Sequence, residues 1–146
     1  MFSHKFIENC KRKLEDGNKK FNLELAIVSQ IENDTYMLIA VDDSSNTFKS
    51  NDVFPLGDTY CRDVINRACS VALPLQNQDV QLKQHPLYGN MPLEAYISSP
   101  ILHNGKIWGT INFSAKSQRP EFSTEDIEFN ERLAADISAC LCEEVE

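Results

Sequence analysis

Ala95-Tyr96-Ile97-Ser98-Ser99-Pro100-Ile101-Leu102-His103-Asn104-Gly105-Lys106-Ile107-Trp108-Gly109-Thr110-Ile111-Asn112-Phe113-Ser114 is the stretch that decides the fold. Two runs rich in β-branched and aromatic residues flank Asn104-Gly105, a dipeptide that accepts positive φ at both positions and closes a two-residue hairpin. With that turn, His103 faces Lys106, Ile101 faces Trp108, Ser99 faces Thr110 and Ile97 faces Asn112. These pairs share one sheet face, and Tyr96 and Ser98 share the other with Ile111 and Phe113. A single bulged residue would swap that parity on one strand.

Working outward, Phe122-Ser123-Thr124-Glu125-Asp126 opens a last helix, with Ser123 as N-cap and Asp126 at the reciprocal capping position. Its apolar stripe is Ile127, Leu133, Ala134, Ile137, Cys140, Leu141 and Val145. At the other end, residues 2–21 read as an amphipathic helix on Phe2, Phe6, Cys10, Leu14 and Phe21, with Gly17-Asn18 as a candidate early end. Leu23 to Ile31 and Tyr36 to Val41 form a second hairpin about Asn33-Asp34. A short strand near Thr47–Lys49, a helix over Thr59 to Ser70 and an extended piece at Val71–Leu75 follow. Residues 76–93 are a polar, turn-rich connection, long enough to act as a binding loop or lid. Helices at both ends of a mainly antiparallel sheet make one α+β domain over residues 1–146.

Composition narrows the function. A chain of 146 residues with 42% hydrophobic and 25% charged content is an ordinary globular domain. A formal net charge of −8 argues against nucleic acid or an anionic membrane as partner, and Lys11-Arg12-Lys13 and Lys19-Lys20 read as a solvated helix face. No apolar run is long enough for a membrane span, and Met1-Phe2-Ser3-His4-Lys5 is not an apolar signal region. The five cysteines, without a CxxC pair, read as reduced thiols of a cytoplasmic protein.

Chemistry concentrates in Phe54-Pro55-Leu56-Gly57-Asp58-Thr59-Tyr60-Cys61-Arg62. Gly57 permits a turn, Asp58 or Thr59 caps the helix that follows, and Cys61 lies beside its N-terminus and Arg62. Cys61 is either a small packed hydrophobe or a reactive thiol. His85 and Tyr88 lie in the long connection, where imidazole and phenol can read a polar ligand if the loop folds over a pocket. Glu94 is either an exposed strand-start residue or a pocket carboxylate. Asn112 is the sharpest item, a polar side chain centred in an apolar strand and sharing a face with Thr110 and Trp108. If buried, it needs partners. No spacing of Cys and His supports a metal site.

These segments in this order resemble the GAF sensory domain over nearly the whole chain. Phe54–Arg62, His85-Pro86-Leu87-Tyr88-Gly89, Glu94–Pro100, Asn104–Ser114 and the helix start at Phe122, Ser123 and Asp126 carry the likeness. It is similar to the subgroup found upstream of bacterial histidine kinases and cyclic-dinucleotide cyclases. The resemblance implies a central antiparallel sheet, terminal helices on one face, and a loop- and helix-capped ligand pocket on the other. It places Asp58, Thr59, Cys61, His85, Tyr88, Glu94, Tyr96, Trp108, Thr110 and Asn112 at a small-molecule site, with no catalytic residue and an unspecified ligand. Some relatives carry a bilin on a Cys followed by His. Here Arg62 follows Cys61, which argues against a covalent chromophore.

A kinase or cyclase does not fit in the residues left over. The expectation is therefore a regulator acting on a separate output protein, a module that has lost signalling, or a domain cut from a longer protein. The apolar stripes of the terminal helices allow a homodimer. The alternatives are a redox enzyme similar to free methionine-(R)-sulfoxide reductase, whose acids are replaced here by Asn112 and Ser114, and an interaction module with no ligand.

Overall fold

The computed structural model describes residues 2–43, 48–55, 69–73, 94–117 and 120–144. Helix α1 (His4–Phe21) leads to strands β1 (Leu25–Glu32), β2 (Thr35–Asp43), β3 (Val53–Pro55), β4 (Val71–Leu73), β5 (Ala95–His103) and β6 (Lys106–Ala115), and helix α2 (Thr124–Glu143) follows. The six strands form one sheet in the order β3-β2-β1-β6-β5-β4, with every pairing antiparallel. The pairing of β1 with β6 joins the N-terminal hairpin to the C-terminal one. The short strand expected near Thr47–Lys49 is instead β3 at Val53–Pro55, on the sheet edge where a proline lacking its N–H is tolerated. The helix expected over Thr59 to Ser70 and the loop 76–93, and with them the expected pocket cap, lie mostly outside the described residues.

Both tight turns have the backbone their residues favour. Asn33 and Asp34 have φ of 53° and 63°, Asn104 and Gly105 of 53° and 78°. His103 pairs with Lys106 as expected, but the register then shifts. Ile101 pairs with Gly109 and Leu102 with Ile107, leaving Trp108 with no opposite residue. Beyond this bulge the pairs are Ser99 with Ile111, Ser98 with Asn112, Ile97 with Phe113 and Tyr96 with Ser114. The expected pairs of Ile101 with Trp108, Ser99 with Thr110 and Ile97 with Asn112 are therefore displaced by one residue, and β6 turns over relative to β5.

One hydrophobic cluster joins both helices to one sheet face. It holds Phe6, Cys10 and Leu14 of α1, Leu133, Ala134 and Ile137 of α2, and Ala26, Val28, Ile97, Ile101, Ile111 and Phe113 of the sheet. The α1 stripe is the expected one, but Gly17 does not end the helix. It is buried in the same stripe, where a Cβ would come within 2.1 Å of the Phe113 ring. Phe113 uses that notch and packs edge-on against Phe21 with ring centroids 5.2 Å apart. The helix stops at Asn22, in the left-handed conformation at φ 57°. Ser123 and Asp126 complete the capping box of α2, with Asp126 N donating to Ser123 Oγ at 3.1 Å and Ser123 N to Asp126 Oδ2 at 2.9 Å.

The outer ends of the two helices are tied together. Ser3, which caps α1, donates from its backbone N to Glu144 Oε1 at 2.8 Å and from its hydroxyl to Glu144 Oε2 at 2.7 Å. These bonds, the backbone one foremost, hold the Glu144 carboxyl below its usual range. Between the helices, burial pushes the Cys10 thiol up to about 12, with Cys140 adding to the effect, so it stays protonated at neutral pH. Among the described residues, Cys10, Cys69, Cys140 and Cys142 are all free thiols, and no helix is long and apolar enough to cross a membrane.

Two outcomes follow from this packing. Gly17→Ala would gain about 1 kcal/mol of helix propensity elsewhere, but here overpacking against Phe113 is expected to give a net loss of about 1–2 kcal/mol, read from urea midpoints. A carboxyl with a lowered folded pKa stabilises the fold above its unfolded pKa, and that contribution fades as pH falls through the folded value. The melting-temperature gap between wild type and Glu144→Gln is therefore expected to be widest near neutral pH and to close in acid.

Candidate functional site

The sheet face turned away from the helices carries the candidate site. Ile111 and Phe113 lie in the helix-side cluster, so the strand alternation sends Thr110, Asn112 and Ser114 of β6 to the opposite face. The register adds Tyr96 and Ser98 from β5, and Ser29 from β1 opposite Thr110. Ser29, Ser98 and Thr110 are fully buried, and Tyr36, Tyr96, Asn112 and Ser114 nearly so. None of the buried polar side chains described is charged.

These groups make a hydrogen-bonded line across three strands. Asn112 Nδ2 donates to Tyr36 Oη at 3.0 Å, reaching across β1 to β2. It also approaches Thr110 Oγ1 at 3.5 Å. Thr110 Oγ1 lies 2.8 Å from Ser29 Oγ, which also accepts from the Thr110 backbone N at 3.2 Å. The line thus runs Tyr36–Asn112–Thr110–Ser29, with β1 and β6 held close enough that a Cβ at Gly109 would meet Ser29 O at 1.8 Å. A neutral, buried, mutually oriented set of donors and acceptors can present fixed hydrogen-bonding positions to a small molecule without the desolvation cost of a buried charge.

Of the residues expected at the site from sequence, Thr110 and Asn112 are brought together, and Tyr96 joins them on the same face. Glu94 is half-buried at the start of β5, its backbone N donating to Ala115 O at 3.0 Å. Trp108 leaves the set. The bulge swings its indole to the helix side, where it meets Phe2 and Phe6 edge-on at 5.6 Å and 6.2 Å. Asp58, Thr59, Cys61, His85 and Tyr88 lie outside the described residues. Sequence reasoning missed Ser29, Tyr36, Ser98 and Ser114. Small or hydroxylated residues inside apolar strands were the available signal; Ser114 shares the face of Asn112 by strand alternation alone, but only the corrected register places Ser98 with them.

A comparison with curated proteins returns no match. Solved structures match strongly in fold at low identity. The chromophore-binding domain of Stigmatella aurantiaca bacteriophytochrome superposes with a TM-score of 0.76 at 16% identity, over 96% of this chain and 55% of that one. The chromophore-binding domain of the bacteriophytochrome RpBphP3 from R. palustris gives 0.76 at 16%, over 94% and 56%. The chain thus spans about half the length of these two relatives. The PixJ GAF domain of Thermosynechococcus elongatus gives 0.73 at 12%, over 94% of this chain and 84% of that one. The family model described as the GAF domain matches residues 14–141, so the chain belongs to the GAF domain family.

Proposed function

We propose that the chain is a non-catalytic regulatory module that binds a small molecule over the sheet face turned away from α1 and α2 and acts on a separate output protein. The observation that supports it is the buried neutral line Tyr36–Asn112–Thr110–Ser29, a polar floor set into an otherwise apolar sheet. Asn112, Thr110, Tyr96 and Glu94 bind the ligand in this reading. Asp58, Thr59, Cys61, His85 and Tyr88 complete the site around them. Ligand binding shifts the balance between two arrangements of the surrounding segments, and the helices pass the change to a partner or to a second copy of the chain.

A bilin suits these residues poorly. Its propionates call for cations, whereas the buried polar side chains described on this floor are neutral, and Cys61 lacks a following His. A neutral, hydrogen-bonding metabolite is the better match to the floor.

Native mass spectrometry of protein purified without refolding, with thermal shifts across a metabolite panel, tests the reading. A bound small molecule is expected, with affinity at least about tenfold weaker in Thr110→Val. An empty protein with no shift across the panel would overturn it. So would sulfoxide turnover with thioredoxin that is lost in Cys61→Ser. Independently of any ligand, Asn112→Ala removes the amide that donates to the Tyr36 phenol. Its expected cost is about 1–3 kcal/mol in urea unfolding, largely removed when Tyr36→Phe is combined with it.

A further inference from the structure

A second line of side chains runs through the helix side of the sheet and ends in a groove far from the candidate site in chemistry. Asn130, fully buried on α2, donates from Nδ2 to Ser99 Oγ at 2.9 Å and to the Ile111 carbonyl at 3.4 Å. A carbonyl only accepts, so the amide nitrogen must face it, and the side-chain orientation is fixed. Ser99 Oγ lies 2.7 Å from Ser70 Oγ, and the Ser70 hydroxyl donates to Glu131 Oε2 at 2.8 Å.

The protons of this chain can be assigned from both ends. Ser99 receives the Asn130 proton and passes its own to Ser70. Ser70 passes its own to the carboxylate, which only accepts. The two ends agree on one direction, Asn130 to Ser99 to Ser70 to Glu131.

Ser70 and Glu131 line a cavity of about 400 Å³ between α2 and the β4–β5 edge, over a floor that includes Pro100, Leu102 and Ala134. The other hydroxyl of the lining, Ser138 on α2, gives its proton to the Leu102 carbonyl. Each side-chain hydroxyl of the groove has thus committed its proton within the protein, and only the weakly donating Cys69 thiol remains at its edge. An incoming molecule meets lone pairs and a carboxylate. Among the described residues Glu131 has no ion-pair partner, and Leu102 is 48% exposed for a large apolar side chain. Among the described lining residues an anion or an acceptor finds no free hydroxyl donor, whereas a cation with N–H groups meets complementary charge and acceptors. The protein's net charge of −8 favours its approach.

We propose that this groove binds a small organic cation, an alkylammonium or alkylguanidinium, with its head on Glu131 and its aliphatic arm over Leu102. The volume lies in the range of small-molecule sites. This site is independent of the one on the opposite face, yet its hydrogen-bond chain ends on Ile111, between Thr110 and Asn112.

Titration of the full chain with agmatine, cadaverine and the uncharged 1-pentanol, followed by calorimetry and amide NMR, tests the proposal. Saturable binding of at least one cation is expected, weakened by added salt, with amide shifts at Ser99 and along Glu131 to Ser138. Binding of agmatine alone would identify the planar guanidinium as the preferred head, and binding of both would identify charge with any N–H geometry. Glu131→Gln is expected to weaken binding at least about tenfold. Leu102→Lys, which tethers an ammonium over the same carboxylate at an exposed position, is expected to abolish it. Equal binding of 1-pentanol, unchanged affinity in Glu131→Gln, or no saturation by either cation would overturn the proposal.

Discussion

The unpaired residue at Trp108 governs which side of the sheet each side chain of β6 faces, and much of the molecule depends on that choice. Side chains alternate along a strand, so one extra residue exchanges its two faces. With the bulge in place, Ile111 and Phe113 meet the helices, Phe113 finds the notch at Gly17, and Trp108 itself covers the first turns of α1. Without it, Thr110 and Asn112 would face the helices and the aromatic core would face away. Burying two polar side chains unmatched against α1 and α2 would cost about 1–3 kcal/mol each, before the lost aromatic packing is counted.

β6 consequently lies between two polar systems that share one strand and face opposite ways. On one side Asn112 and Thr110 link three strands through neutral hydrogen bonds. On the other, Asn130 reaches the Ile111 carbonyl and leads through two serines to a carboxylate at the surface. Buried polar chains of this kind add little net stability, but they penalise wrong registers heavily because any slip leaves several groups unmatched. The Asn130 Oδ1 atom has no partner among the described residues, so α2 holds one unmet buried acceptor beside the two bonds its Nδ2 makes.

The features legible in the sequence were those with short-range causes. Asn104-Gly105 and Asn33-Asp34 fix their turns by backbone conformation alone, Ser123 and Asp126 cap α2 within one turn, and Phe6, Cys10, Leu14 and Phe21 repeat at helical spacing. What sequence reading missed depends on distant partners. Gly17 looks like a helix breaker until Phe113, far along the chain, is seen to occupy its space. Asn130 carries no signal in the sequence, because its partners Ser99 and Ile111 lie on other elements. The bulge at Trp108 has no local signature, so Thr110 and Asn112 were expected to face Ser99 and Ile97 of β5, one residue away from their observed partners, and to share their face with an indole that instead packs on Phe2 and Phe6.

The bonds from Ser3 to Glu144 bring together positions separated by almost the whole sequence. A linker of only a few residues would join those positions, leaving the order of elements intact while new ends are opened at an exposed turn such as Asn104-Gly105. The domain has the geometry of a cassette that can be circularly permuted or set into a surface loop of a host protein without spreading the host strands apart. In that setting both attachments grip the same corner of the domain. A rearrangement inside it would then reach the host as a change of angle or tension at one point, rather than as a change in the distance between two.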